Sequence, residues 1–473
     1  MRPFHLEGLF FCELQFEDGK SRIVASVAGW LGHARASLPG KETTMSVIAL
    51  LGAQWGDEGK GHIADKLAAD AAMVARYNGG DNAGHTITIG DTLVRTHLVP
   101  AGAFHPGATC VLGAGMVINL RSLGREVDEL NRHGANLTAD RLKIDVAAHL
   151  LLPGHVALDG VSESRRGTGA IGTTKRGIGP AYTDKAARTG LRAGSIADAD
   201  AFPEIVWAHV ERANFSLREL FEPELDADAL AAEYAALAKR FAPHLADVTA
   251  LVHAALERGE MVLAEGAQGA LLDLDHGTYP FVTSSSTITG GVLTGLGVGP
   301  RHVTRVIGVA KAFCSRVGAG PFPTELHDAM GDRLRGTGTN PWDEFGSTTG
   351  RPRRTGWLDL VALKHAARIN GLTELVLTKL DILTGIEPLY VCTAYSYHGQ
   401  STSGFPRDAA VLGECTPVYT ELPGWTQDIG TAKGLEDLPH GAQAYIRQIE
   451  SFTGVPVSHV SVGPDRSQIF AVA

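Results

Sequence analysis

Cysteine is scarce and scattered. Cys12, Cys110, Cys314, Cys392 and Cys415 are five in 473 residues. An odd count with no C-x-x-C pair excludes a disulfide framework and a thiolate zinc site, and predicts free thiols in a reducing compartment. Long apolar runs are missing too. None approaches the roughly 18 residues that a membrane-crossing helix needs, so the expectation is a cytoplasmic chain with no membrane partner. Positive charge is not in excess: a net charge of −10 opposes a broad grip on nucleic-acid phosphates and leaves room for a compact basic pocket around one small anion.

Repeats, low-complexity stretches and Pro- or Ser-rich linkers are also absent, which favours one large domain over residues 45–473 rather than two independent ones. What is present, 44% hydrophobic and 20% charged residues, is ordinary for a globular chain with a large core. Residues 1–44 precede a second methionine, Met45. Their apolar stretch is interrupted by Glu7, Glu13 and Glu17, which spoils signal and transit-peptide patterns. They are read as a leader of unknown role, disordered or the product of an upstream start.

From Met45 onward, strand and helix signals alternate. Val47–Leu51 is a short apolar run followed by a Gly-rich turn and a helical stretch through Ala69. Later runs at Cys110–Leu112, Met261–Leu263, Val306–Val309 and Leu375–Leu377 each lead into turns rich in Gly, Thr or Lys, as do strands whose C-terminal ends carry binding loops. Helices are plainest over Leu225–Arg258, with a break near Pro243; over Trp357–Asn370, ending at Gly371; and over Ala442–Phe452, ending at Gly454. The fold class expected is α/β: a large, mostly parallel central sheet with flanking helices and inserted helical subdomains, similar to P-loop NTPases.

The segment Gly52-Ala53-Gln54-Trp55-Gly56-Asp57-Glu58-Gly59-Lys60-Gly61 lies between the first strand and its helix. Backbone N–H groups, a helix N-terminus and the Lys60 charge suit an anion there. The Walker pattern is not met, because Gly61 and then His62, rather than Ser or Thr, follow Lys60 and the Mg²⁺ hydroxyl is missing; Asp57 is available as a metal ligand instead. A Gly-rich turn by itself is more often a tight corner without ligand, and the rest of the chain decides the matter.

Gln54 to Gly61 resembles the signature of adenylosuccinate synthetases. So do Asn82-Ala83-Gly84-His85-Thr86, Gly172-Thr173-Thr174 with Arg176-Gly177-Ile178-Gly179-Pro180, Glu265-Gly266-Ala267-Gln268-Gly269, Gly318 to Glu325, Arg353-Arg354-Thr355-Gly356-Trp357 and Thr378-Lys379-Leu380-Asp381. The resemblance runs from about Met45 to the C-terminus. It implies a ligase that uses GTP and Mg²⁺ to join L-aspartate to inosine monophosphate (IMP). GTP phosphorylates O6 of IMP, and the aspartate amine displaces phosphate from C6 of the 6-phosphoryl intermediate.

The resemblance also assigns roles. Asp57 would be the base that takes the N1 proton of IMP, and with the Gly84 carbonyl it would hold Mg²⁺. His85 would be the proton donor, and Gln268 a third catalytic group. GTP would be bound by Gly56, Asp57, Glu58, Gly59, Lys60, Gly61, His62, Gly84, His85, Thr86, Arg353, Lys379, Leu380 and Asp381, with Ser461, Val462 and Gly463 closing over the base. Asp381 would accept from guanine N1–H and the exocyclic amine, which rejects adenine by leaving buried groups unpaired. IMP would draw on Asp57 to Lys60, Asn82, Ala83, Gly84, His85, Thr174, Gln268, Thr283 and Arg351, and on Arg188 from the neighbouring subunit of a homodimer. Aspartate would sit in the loop Ser347, Thr348, Thr349, Gly350, Arg351, Pro352 and Arg353, where arginines can fork around a dicarboxylate; this loop is expected to order only when ligands are present.

His62 stands where the family often has lysine, which bears on one GTP-phosphate contact, and Pro352 interrupts a common arginine run and stiffens the loop. Two rival readings use fewer motifs. A GTP-binding switch or scaffold leaves the arginine loop unexplained, and an ATP-dependent amide ligase conflicts with Asp381.

Overall fold

The computed structural model describes residues 46–89, 92–346 and 350–472; residues 1–45 and Ser347, Thr348 and Thr349 lie outside them. Ten strands form the main sheet: β1 (Ser46–Gly52), β2 (Met73–Arg76), β3 (Thr109–Leu112), β4 (Leu142–Asp145), β5 (Leu245–Ala246), β6 (Met261–Glu265), β7 (Val303–Lys311), β8 (Glu374–Thr378), β9 (Val457–Ser461) and β10 (Ile469–Ala471). Their order is β10-β9-β8-β7-β1-β6-β2-β3-β4-β5. Every pairing is parallel except β9 with β10 at one edge.

A parallel sheet buries both faces, so its strands read as continuous apolar runs. In β1 the alternation resolves into two cores. Val47, Ala49 and Leu51 pack with Val262, Ala264 and Leu377 on one face, whereas Ile48 and Leu50 pack with Ile63, Val74 and Val376 on the other. The helix Lys60–Ala68 follows β1 at once and contributes Ile63 and Ala64 to the second face. Between β4 and β5 the chain inserts the helices Pro153–Arg165, Ile178–Ala187, Phe202–Glu219 and Ala227–Phe241.

The expected strands all form, most extended by a residue or more. Of the helices, Leu225–Arg258 breaks near Pro243 as expected, into Ala227–Phe241 and Val248–Glu257, each started by an aspartate cap, Asp226 and Asp247, whose side chain accepts from the backbone three residues on. The helix expected from Trp357 begins at Leu360, because Leu358–Asp359 pairs as a strand with Leu389–Tyr397 and Asp359 caps the helix. Gly371 and Gly454 end their helices in the left-handed conformation, as expected. Cys110, Cys314, Cys392 and Cys415 are free and buried. Among the described residues, no helix is long and apolar enough to cross a membrane.

The helix Thr289–Leu296 approaches the segment after β2 so closely that a Cβ on Gly295 would lie 2.3 Å from the Tyr77 carbonyl oxygen. That oxygen belongs to the backbone and cannot swing aside. Gly295→Ala is therefore expected to lower the unfolding free energy by about 1–3 kcal/mol, read as a lower urea midpoint with unchanged slope.

Candidate functional site

In a parallel sheet the C-terminal strand ends share one edge, and loops there converge. The phosphate loop leaves β1, Asn78 to His85 follows β2, Gln268 follows β6, Lys379 to Asp381 follows β8, and Ser461 to Gly463 closes β9. Hydrogen bonds tie these loops together. Ala53 N–H donates to Val309 O at 2.8 Å, Thr378 Oγ1 donates to Glu58 O at 2.7 Å, and Ala267 N–H donates to Asn78 Oδ1 at 2.9 Å. Above the edge opens a cavity of about 2390 Å³.

Gly56, Asp57, Gly59, Lys60, Gly61, Asn82 to Thr86, Thr174, Gln268, Thr283, Gly350, Arg353 and Lys379 all line it. Thr174 is brought there by the inserted helices: Glu163 accepts the backbone N–H groups of Gly172 and Thr173, and Asp159 accepts that of Gly177 at 2.8 Å. Other expected residues stand off the wall. Glu58 is buried beneath the loop. Asp381 lies in the turn Leu380–Leu383 beside the end of β9, and burial pushes its pKa up. Ser461 and Val462 are buried, with Ser461 Oγ donating to Gly463 O at 3.0 Å. Arg351 is exposed beside the cavity, and Arg188 is exposed at the end of the helix Ile178–Ala187. His62 is half-buried in the first turn of the helix Lys60–Ala68.

Three lining residues are strained. Asp57 (φ 59°), Gln268 (φ 58°) and Lys379 (φ 59°) are left-handed without being glycine, a conformation that clusters at ligand sites because the surrounding fold must enforce it. Gln268 also leaves both amide atoms buried without a partner, a deficit that a ligand would satisfy.

The loop already holds an anion of its own. The N–H groups of Gln54 and Gly56 donate to Glu58 Oε1 at 3.0 and 2.9 Å, and Lys60 Nζ to Glu58 Oε2 at 2.6 Å. These are the donor types that a phosphate would use. Asp57 is likewise engaged. Arg353 Nε lies 2.8 Å from its Oδ2, as an ion pair rather than an aligned hydrogen bond. Burial pushes the Asp57 pKa up, but Arg353, Lys311 and Lys60 outweigh it and hold the carboxyl below its usual range.

His85 packs against the start of the helix Lys60–Ala68; a Cβ on Gly61 would come within 2.7 Å of the His85 Cβ. Its Nδ1 is hydrogen-bonded to Glu265 Oε1, and Glu265 Oε2 accepts Ala101 N–H at 2.8 Å. Burial pushes the His85 pKa down, and the Glu265 carboxylate offsets part of that. Glu265 itself stays ionised: burial raises its pKa, but His85, Arg76 and the Ala101 N–H outweigh it. Since Nδ1–H serves Glu265, the neutral ring presents Nε2 as an acceptor, and only the imidazolium can donate from Nε2.

Asp57, half-exposed, and the Gly84 backbone on the same wall offer hard oxygen donors of the kind Mg²⁺ selects, and the Arg353 cation already seated on Asp57 marks the place as one for positive charge. On the far wall, His155, Asp184 and His209 also bring three ligand atoms together. There Leu152 N–H donates to His155 Nδ1 at 3.0 Å, which puts that ring's proton on Nε2, the atom a metal would need. The trio is a hydrogen-bonded relay.

An anion cradle, a carboxylate and a histidine at the carboxyl edge of a parallel sheet define a P-loop-like enzyme of phosphoryl transfer. The sequence pattern of the family described as adenylosuccinate synthetase matches residues 49–470. An adenylosuccinate synthetase of Moorella thermoacetica is 52% identical over 425 residues, covering 90% of this chain and 98% of its own. The fully ligated adenylosuccinate synthetase of Plasmodium falciparum superposes with a TM-score of 0.86 at 38% identity, covering 90% of this chain and all of that one. A cyanophage S-2L succinoaminodeoxyadenylate synthetase shares the fold alone, with a TM-score of 0.55 at 18% identity over 90% of this chain and 95% of that one. The chain belongs to the adenylosuccinate synthetase family. Its reaction is the family's: GTP, IMP and L-aspartate give GDP, phosphate and adenylosuccinate through 6-phosphoryl-IMP.

Glu265 opens the motif Glu265-Gly266-Ala267-Gln268-Gly269 without a role from sequence; the signal of one is a buried acid at the end of a strand. Replacing it with glutamine removes the charge that raises the His85 pKa. In Glu265→Gln an NMR titration of His85 should give a lower value than in the wild type; an equal or higher one would show that Glu265 does not tune the ring.

Proposed function

We propose that this cavity carries out both half-reactions with the residues that line it, and that residues 45–473 form the catalytic unit. The observation that carries the reading is the convergence of Asp57, His85 and the unsatisfied Gln268 amide on one wall. Asp57 takes the N1 proton of IMP, which makes O6 a nucleophile toward the γ-phosphorus of GTP. It becomes a stronger base when Arg353 leaves it for the phosphates, since the guanidinium now lowers its pKa.

His85, fixed at Nδ1 by Glu265, donates from Nε2 once the phosphate charge nearby favours the imidazolium. Lys60 and the Gly56 to Gly61 amides bind phosphate, His62 and Thr86 flank them, and Glu58 yields its donors. Gln268, Asn82, Ala83, Thr174, Thr283 and Arg351 hold IMP. Gly350, Arg351, Pro352 and Arg353 receive aspartate together with Ser347, Thr348 and Thr349, which lie outside the described residues. Lys379, Leu380, Asp381 and Ser461 to Gly463 bind the guanine. Mg²⁺ would be held by Asp57 and the Gly84 carbonyl, and would neutralise charge on the moving phosphoryl group. Arg188, exposed at a helix end, reaches IMP in the partner of a homodimer. The place of work is the cytoplasm.

Incubation with GTP, IMP, aspartate and Mg²⁺ should give adenylosuccinate by absorbance, and omission of any one should stop it; equal rates with ATP would reject the guanine assignment. Asp57→Ala should abolish turnover, and His85→Ala should lower kcat by about 10²–10⁴-fold. Full activity in either removes that role. Asp381→Asn should raise the KM for GTP and leave IMP binding unchanged, checked by initial rates and calorimetry.

A further inference from the structure

Glu344, 1% exposed, has no part in the reading above, yet three cations surround it. Its Oε2 accepts from Lys311 Nζ at 2.9 Å and Arg353 Nη1 at 2.8 Å, and its Oε1 from Lys379 Nζ. Its backbone is fixed as well. Arg353 N–H donates to Glu344 O at 2.8 Å, and Glu344 N–H to Arg335 O at 2.8 Å. Lys311, fully buried at the end of β7, gives its N–H to Gln54 Oε1 of the phosphate loop at 3.0 Å.

One carboxylate thus joins the phosphate-loop side, the arginine segment and the base motif after β8. Stability alone is a poor reason for such a cluster, because buried ion groups are often replaceable by apolar ones without loss. The spacing it imposes is specific: Arg353 reaches Asp57 with Nε while Nη1 stays on Glu344, and Lys379 is drawn onto the other oxygen of the same carboxylate.

We propose that Glu344 is a positioning residue for GTP: its carboxylate holds Arg353 and Lys379 as a fixed pair of cations, one beside Asp57 and one at the nucleotide end of the cavity. This rests on the roles proposed above for Asp57, Arg353 and Lys379. Without the carboxylate the three cations repel one another. Arg353 keeps Asp57 as its ion-pair partner, which suppresses the base, and Lys379 loses its ionic partner and keeps the neutral Trp342 carbonyl, to which its Nζ donates at 2.8 Å.

Steady-state kinetics of Glu344→Gln and Glu344→Asp test the proposal. The glutamine variant should raise the KM for GTP at least tenfold and lower kcat at least tenfold, with the KM for IMP within threefold of wild type. The aspartate variant keeps the charge on a shorter arm and should recover part of the KM for GTP. A KM for GTP within threefold of wild type in the folded glutamine variant overturns the proposal, and so does an equal rise for GTP and IMP, which would indicate general loss of structure. Should the glutamine variant not fold, the aspartate variant decides alone: a KM for GTP raised at least threefold supports the role, and a smaller change overturns it. Calorimetry of GTP binding reads the same contrast without turnover. A wild type inactive with GTP, IMP and aspartate would instead sink the reading of the site.

Discussion

Everything at the site depends on the parallel ladder. Nine strands that run the same way place nine carboxyl ends on one edge, and the helices needed to return the chain must cover the two faces. Only that edge is left open for long loops to meet. Residues as far apart in sequence as Asp57, Gln268 and Lys379 become neighbours along a single wall because β1, β6 and β8 lie within four positions of one another in the sheet. The insertion between β4 and β5 adds the remaining side, with Glu163 and Asp159 clamping the loop that carries Thr174.

A second constraint is charge. The chain is acidic overall, yet its site must hold the polyanionic phosphates of GTP and IMP and a dicarboxylate. Its main cations are already matched: Glu58 satisfies Lys60 and two loop amides, Asp57 faces Arg353, and Glu344 gathers Lys311, Lys379 and Arg353. Isolated buried charges would be costly. Under the proposed roles, substrates therefore bind by exchange: a phosphate takes donors from Glu58, and Arg353 passes from a carboxylate to a phosphoryl oxygen. The cost of desolvating the site has already been met in folding, which leaves binding to depend on the match between two sets of ionic partners.

Much of this was legible in the sequence, for a physical reason. Buried parallel strands are short apolar runs, and the anion loop needs glycine and lysine at fixed places, so β1, β6, β7 and β8 and the cradle after β1 could be read directly. Helix ends were legible where glycine closed them, as at Gly371 and Gly454. The start at Leu360 was not, because Trp357 fits an apolar helical pattern and only pairing of Leu358 and Asp359 with a distant strand, Leu389–Tyr397, keeps them out of the helix. Glu344 was illegible for a related reason. Its three cations come from segments up to 35 residues away from it in sequence, which no local pattern brings together. Glu265 stood inside a quoted motif, but its meaning lay in His85, 180 residues away.

The His85–Glu265 contact narrows what the histidine can do. A ring whose Nδ1 hydrogen is committed to a carboxylate is an acceptor at Nε2 while neutral and a donor only when charged. Burial favours the neutral form, and Glu265 favours the charged one. The balance leaves the ring's pKa below its ordinary value, which favours the form that accepts at Nε2 until negative charge arrives. A nucleotide brings that charge, and under the proposed roles the same event removes Arg353 from Asp57. Acid and base would then both be switched on by the phosphates on which they act, the acid by gaining an anion nearby and the base by losing a cation.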